Sequence, residues 1–200
     1  MAMTKLEKQF VNQERKAKRN IKKVNQCLEQ IDLQKIHQVL ELGCGTGAVS
    51  AYLANNYQMN VYGTDFDPEQ IEIAKKLFQE NDHLHFMVED ASNLNFEFIS
   101  FDLVLSQNVF HHIPAWETAV QEVVRVLRPG GYLIWLDLAF PRLIKYIVQP
   151  FVKNYAVYTF DDVKVSFANN GLKQLFYERF AHGPFTHHQI ISQKGENESR

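Results

Sequence analysis

From Gln38 onward, short apolar runs alternate with helical stripes, and that alternation leaves few architectures open. Val39-Leu40-Glu41-Leu42 reads as a strand that ends in Gly43-Cys44-Gly45-Thr46-Gly47, and Ala48 to Asn55 as a helix. A second strand, Val61 to Thr64, ends at Asp65. Asp67 then caps a helix with Pro68 in its first turn and Gln70 at the capping-box position. Its buried stripe is Ile71, Ala74, Leu77 and Phe78. Leu84–Val88 and Asp102–Ser106 are the third and fourth strands, Trp116–Leu127 a helix stopped by Arg128-Pro129-Gly130-Gly131, and Tyr132–Leu138 the fifth strand. Thr159–Asn170 reads as a capped helix, and Leu172–Phe180 and Phe185–Gln193 as two strands joined around Gly183-Pro184.

Nearly continuous apolar strands that alternate with helices predict a parallel sheet covered on both faces. The short turn before the last strand predicts an antiparallel hairpin. The expected fold is therefore α/β and doubly wound, with a seven-stranded, mostly parallel sheet, one antiparallel C-terminal strand and three αβα layers. Residues 1–37 read as a separate extension: an amphipathic basic segment whose apolar residues Phe10, Ala17, Ile21, Val24, Leu28 and Ile31 share one stripe. It packs beside the core or closes over a site as a lid, ahead of a main domain at 38–200.

Basic residues number 21 and acidic residues 23, for a net charge of −2, which disfavours a surface built for nucleic acid. Two cysteines, Cys27 and Cys44, make no disulfide framework, and reduced thiols suit the cytoplasm. No secretory signal is read in the opening residues, and the most apolar stretch, 132–152, is broken by Asp137, Pro141, Arg142 and Lys145, so no membrane span is expected.

Ligands of such sheets bind at the carboxyl ends of the strands, near the switch in strand order. Four strand ends carry informative residues. The glycine loop Gly43–Gly47 lets a ligand approach backbone without meeting a Cβ, and the helix after it presents free N–H groups. Gly43-x-Gly45-x-x-Ala48 also fits a dinucleotide fingerprint, with Asp65 at the spacing of its ribose acid. Asp65 can accept from paired ribose hydroxyls, Phe66 can lie against a purine, and Asp90 can accept from an exocyclic amine. The fourth end runs from Ser106-Gln107-Asn108 into His111-His112.

Taken in order, Val39 to Gly47, Gly63-Thr64-Asp65, Glu89-Asp90-Ala91, Phe101 to Val104 and Arg125 to Gly131 resemble the class I methyltransferases that depend on S-adenosylmethionine. The resemblance implies a Rossmann-like methyltransferase fold, S-adenosylmethionine as cofactor and S-adenosylhomocysteine as product. It implies that Gly43, Cys44, Gly45, Thr46 and Gly47 wrap the methionine part, with Glu41 near its amino group. Asp65 would bind the ribose, Phe66, Asp90 and Ala91 would surround the adenine, and Ser106 and Gln107 would lie beneath the methionine and sulfonium. Glu41 speaks against a nicotinamide dehydrogenase, because a carboxylate there would face a pyrophosphate.

A methyl transfer needs in-line alignment, and a base only where the nucleophile carries a proton. His111 and His112 follow strand four, where an acceptor would sit, and are the candidate catalytic residues; their other reading is a loop-shaping role before Pro114. His187 and His188 are adjacent on a strand and point to opposite faces, so no metal site is expected. Cys44 reads as a small packing residue beside a helix end that would lower its pKa. The apolar segment Ala139–Tyr158 reads either as a wall of an acceptor pocket, which favours a small or lipophilic acceptor, or as ordinary core helix packing; the basic segment, read as a lid, favours an anionic acceptor. Ser106-Gln107-Asn108-Val109 departs from the Asn/Asp-Pro-Pro-aromatic loop of enzymes that methylate base amino groups. A protein or RNA acceptor, and a cofactor-binding protein without turnover, remain the other readings.

Overall fold

The computed structural model describes residues 14–79, 82–152, 154–182 and 185–196. Helices are α1 (Glu14–Leu28), α2 (Ala48–Tyr57), α3 (Pro68–Leu77), α4 (Trp116–Val126), α5 (Arg142–Val148) and α6 (Phe160–Asn169). Strands are β1 (Gln38–Leu42), β2 (Asn60–Asp65), β3 (Leu84–Val88), β4 (Phe101–Gln107), β5 (Leu127–Ala139), β6 (Leu172–His182) and β7 (Phe185–Lys194). They form one seven-stranded sheet in the order β3-β2-β1-β4-β5-β7-β6. The pairs from β3 through β5 are parallel, and β7 runs antiparallel to both β5 and β6.

Each central strand divides its side chains between two cores, as its period of two requires. Val39, Leu103, Leu105, Ile134 and Leu136 face α1, α2 and α3; Leu40, Leu42, Val104, Leu133 and Trp135 face α4 and α6. α1 enters the first core through Val24, Cys27 and Leu28. Of its expected stripe, Ile21 and Ile31 pack at the edge and Phe10 lies outside the described residues. Among the described residues no helix is long and apolar enough to cross a membrane.

Two local expectations differ from the structure. β5 begins at Leu127, and Arg128–Gly131 do not stand apart as a loop; they form an irregularity within the strand, where Leu127 pairs with Phe101 and Tyr132 with Leu103. Gly130, at φ 76°, makes that turn possible. At α3, Asp67 caps through the Glu69 N–H at 3.0 Å, but Gln70 closes no capping box. The Asp67 N–H is taken by Asp65 instead, at 3.0 Å, and Gln70 is fully buried. At α6 the expected reciprocal cap is present between Thr159 and Asp162.

Candidate active site

Strand order reverses between β1 and β4, and a cavity of about 630 Å³ opens at their carboxyl ends. That volume lies within the ~300–1,000 Å³ of small-molecule sites. Glu41, Gly43, Cys44, Gly45, Thr46, Asp65, Phe66, Asp90, Ala91, Gln107, His111 and His112 all line it.

Two residues of the expected set do not. Gly47, at φ 79°, starts α2, and a Cβ there would lie 2.5 Å from the Phe86 ring, so its small size serves helix–sheet packing. Ser106 points to the opposite face from Gln107 and is buried among α4-side residues, as alternation along β4 dictates. The segment Ala139–Tyr158 also departs from its pocket-wall reading, since none of its described residues lines the cavity. Pro141 precedes α5, and Leu143, Tyr146, Ile147 and Phe151 lie exposed on solvent. The segment reaches the site only indirectly: the Ala156 N–H donates to the His111 carbonyl at 3.0 Å, and Tyr155 packs on the His112 ring.

The glycine loop has a specific steric reason. Gly43 sits at φ 65°, and a Cβ would overlap the Val109 side chain. Asp65 fastens the loop: Oδ2 accepts from Gly45 N–H at 2.9 Å and Oδ1 from Asp67 N–H at 3.0 Å. A carboxylate offers about four lone-pair directions, so Asp65 keeps accepting capacity toward the cavity. Burial raises its pKa, and the two N–H bonds oppose that rise. Glu41 faces α2, where it accepts from Ser50 Oγ at 2.5 Å. Burial pushes its pKa up to about 8 despite that bond. Cys44 does not have the lowered pKa expected beside a helix end; burial dominates, Glu41 and Asp65 add to it, and the thiol is pushed well up. Asp90 Oδ1 is taken by Ser92 through N–H at 2.8 Å and Oγ at 2.7 Å.

Asp137 is the residue that sequence reasoning missed. It lies at the end of β5, 1% exposed. Its Oδ2 accepts from Val109 N–H at 3.0 Å, and Oδ1 accepts from Leu138 N–H at 2.7 Å and faces His111 Nδ1 at 2.5 Å. A carboxylate on Nδ1 holds the proton there and leaves Nε2 as the acceptor nitrogen. Tyr158 closes the set, its phenol pushed well up by burial and then by the Asp137 charge. A lone acid at the carboxyl end of an otherwise apolar strand was the available signal. His187, Glu89 and the α1 residues Lys16, Arg19 and Asn20 also line the cavity unforeseen as site residues.

Residues 40–135 match the family described as a methyltransferase domain. A 2-methyl-6-phytyl-1,4-hydroquinone methyltransferase from Synechocystis sp. is 38% identical over 99 residues, covering 50% of this chain and 31% of that protein. A phthiotriol/phenolphthiotriol dimycocerosates methyltransferase from Mycobacterium tuberculosis is 41% identical over 110 residues, covering 54% of this chain and 40% of that protein. The chain thus spans less than half the length of these relatives. A crystal structure of a SAM-dependent methyltransferase from Methanosarcina mazei shares the fold, with a TM-score of 0.70 at 20% identity, covering 86% of this chain and 97% of the other. Residues 40–135 are thus similar to a methyltransferase domain, and the chain shares the Rossmann-like fold of solved methyltransferases.

Proposed function

We propose that the chain transfers a methyl group from S-adenosylmethionine to a small-molecule acceptor. One observation carries this reading: the glycine loop, Glu41 and the loop-fastening Asp65 share one cavity at the switch point with a histidine held by a buried acid. The cavity fits such a cofactor because the glycine loop lines it at Gly43 and Gly45 and Asp65 beside it retains acceptor capacity. Gly43 to Gly45 would border the methionine tail, and Glu41 its ammonium. Asp65 would accept from the ribose hydroxyls, with Phe66, Asp90 and Ala91 around the adenine and Gln107 beneath the tail.

When bound, the cofactor supplies a methyl group made electrophilic by its sulfonium. The chain then has to orient the acceptor, exclude water and take a proton where one must leave. His111 is the proposed base, with Asp137 as its positioning residue; His112, its ring tilted against that of His111 with centroids 4.0 Å apart, borders the acceptor. Relatives named for a phytyl-hydroquinone and for phthiotriol dimycocerosates support a small-molecule acceptor. We assign the 1–37 extension a covering role, supported by α1 residues on the cavity wall. A cytoplasmic location is supported by the two free, buried thiols of Cys27 and Cys44.

Titration calorimetry with S-adenosylhomocysteine and, separately, with NAD tests the assignment. Binding is expected for the first alone, and Asp65→Ala should weaken it roughly tenfold or more, the scale of hydrogen bonds to a charged acceptor. Preference for NAD, or an unchanged affinity in Asp65→Ala, overturns it.

A further inference from the structure

α1 brings two cations to the cavity, three residues apart on one helical face: Lys16, half-buried, and Arg19, at the solvent edge. Among the described residues neither has an acidic partner. The acid on their own helix, Glu14, is held by Lys18 at 2.7 Å. The acids of the cavity lie away from them: Asp65, Glu89 and Asp90, with Glu41 held mostly protonated by burial, line it at the ends of β1, β2 and β3. The cavity is therefore polarised, with its carboxylates on the sheet and its two lysine and arginine cations on the overlying helix.

The position of the pair is fixed from both sides. Val24, Cys27 and Leu28 anchor the following turns in the core. Gln107 Nε2, at the end of β4, donates to the Asn20 carbonyl at 3.2 Å. Lys16 is disfavoured in its charged form, first by burial and then by repulsion from Arg19. Two repelling cations held at a cavity wall without a counter-charge are relieved by an anion between them, and the Arg fork suits a planar oxyanion.

We propose that Lys16 and Arg19 form an anion subsite, which takes a carboxylate or phosphate group carried by the amino-acid tail of the cofactor or by the methyl acceptor. This rests on the function proposed above and specifies the charge its ligand presents to α1.

The test compares the wild-type protein with Lys16→Gln/Arg19→Gln and with the conservative Lys16→Arg. Both changes lie ahead of the Val24 anchor, and circular dichroism checks the fold; Arg19→Gln alone serves if the double variant unfolds. Three probes are used: S-adenosylhomocysteine, 5′-methylthioadenosine, which lacks the amino-acid tail, and inorganic phosphate, read by thermal shift with and without S-adenosylhomocysteine. If the cofactor's tail supplies the anion, the double variant loses roughly tenfold in S-adenosylhomocysteine affinity, keeps 5′-methylthioadenosine affinity, and Lys16→Arg retains most of the binding. If the acceptor supplies it, both nucleoside affinities hold, while phosphate stabilises the S-adenosylhomocysteine-loaded wild type and not the loaded variant. Identical behaviour of wild type and double variant toward all three probes overturns the subsite. A wild type that ignores S-adenosylhomocysteine but is stabilised by phosphate through Lys16 and Arg19 would instead sink the cofactor assignment and leave the anion subsite standing.

Discussion

Asp137 and Glu41 are both buried acids at strand ends, yet their surroundings differ. Asp137 is met by backbone N–H groups of Val109 and Leu138 and by the His111 ring, so its negative charge is answered by donors. Asp137→Asn should therefore slow methyl release to the acceptor by roughly 10²-fold, the low end for a lost base, while S-adenosylhomocysteine affinity stays constant. Equal losses in rate and in cofactor affinity would instead mark Asp137 as a purely architectural residue. Glu41 has Ser50 and little else, and its pKa of about 8 leaves it mostly protonated at pH 7. An ammonium brought beside it favours the ionised form, so cofactor binding at pH 7 should expel a proton. Calorimetry with S-adenosylhomocysteine in buffers of different ionisation enthalpy reads this directly: a release approaching ~1 proton in the wild type, none in Glu41→Gln. Buffer-independent heats in the wild type would refute it.

At the scale of elements, the sequence was most informative where periodicity and turn chemistry agree. β3 is found at Leu84–Val88, the span its apolar run predicts, and the Thr159–Asp162 cap of α6 is where the Thr and Asp spacing puts it. The glycine loop and Asp65 were legible for the same reason, since both are local in sequence. What could not be read depends on distant partners. The Asp137–His111 contact joins residues 26 apart, and its acid looked like an interruption in an apolar strand. The Arg128–Gly131 stretch carries every sign of a turn, yet pairing with β4 on either side draws it into β5. Ser106 and Gln107 are neighbours in sequence, and only the register of β4 decides which one reaches the cavity. The segment after β5 misled for a physical reason: an apolar run says that burial is favourable but not what it is buried against. α5 leaves Leu143, Tyr146 and Ile147 exposed.

Across the whole molecule, the far edge of the sheet carries a pH dependence. His188 is stacked on Phe160 at 4.2 Å and hydrogen-bonded to Tyr177 at 3.0 Å, which ties β7 to α6 and β6. Burial, and then the charges of Arg179 and His187, push its pKa down to about 4. An unfolded histidine titrates near ~6.5. A depressed folded value means that the neutral ring is favoured, so its contribution is complete above pH 6.5 and is lost as pH falls toward 4. Melting curves should show the wild type losing stability across that window more steeply than His188→Phe, with about 2–4 °C for each kcal/mol in a domain of this size. Parallel pH profiles for the two proteins would count against the assignment.

The reversed direction of β7 has a consequence for how the molecule is assembled. Because it runs against its neighbours, its first residues lie beside the last residues of β5, with Thr186 opposite Ala139, and His187 thereby reaches the cavity. A nascent chain cannot complete the ligand chamber until the ribosome has passed that strand. Until then β5, with Trp135 at its centre, is an open and strongly apolar margin that invites pairing with other copies. Truncations that stop short of β7 are thus expected to aggregate rather than yield a smaller working enzyme.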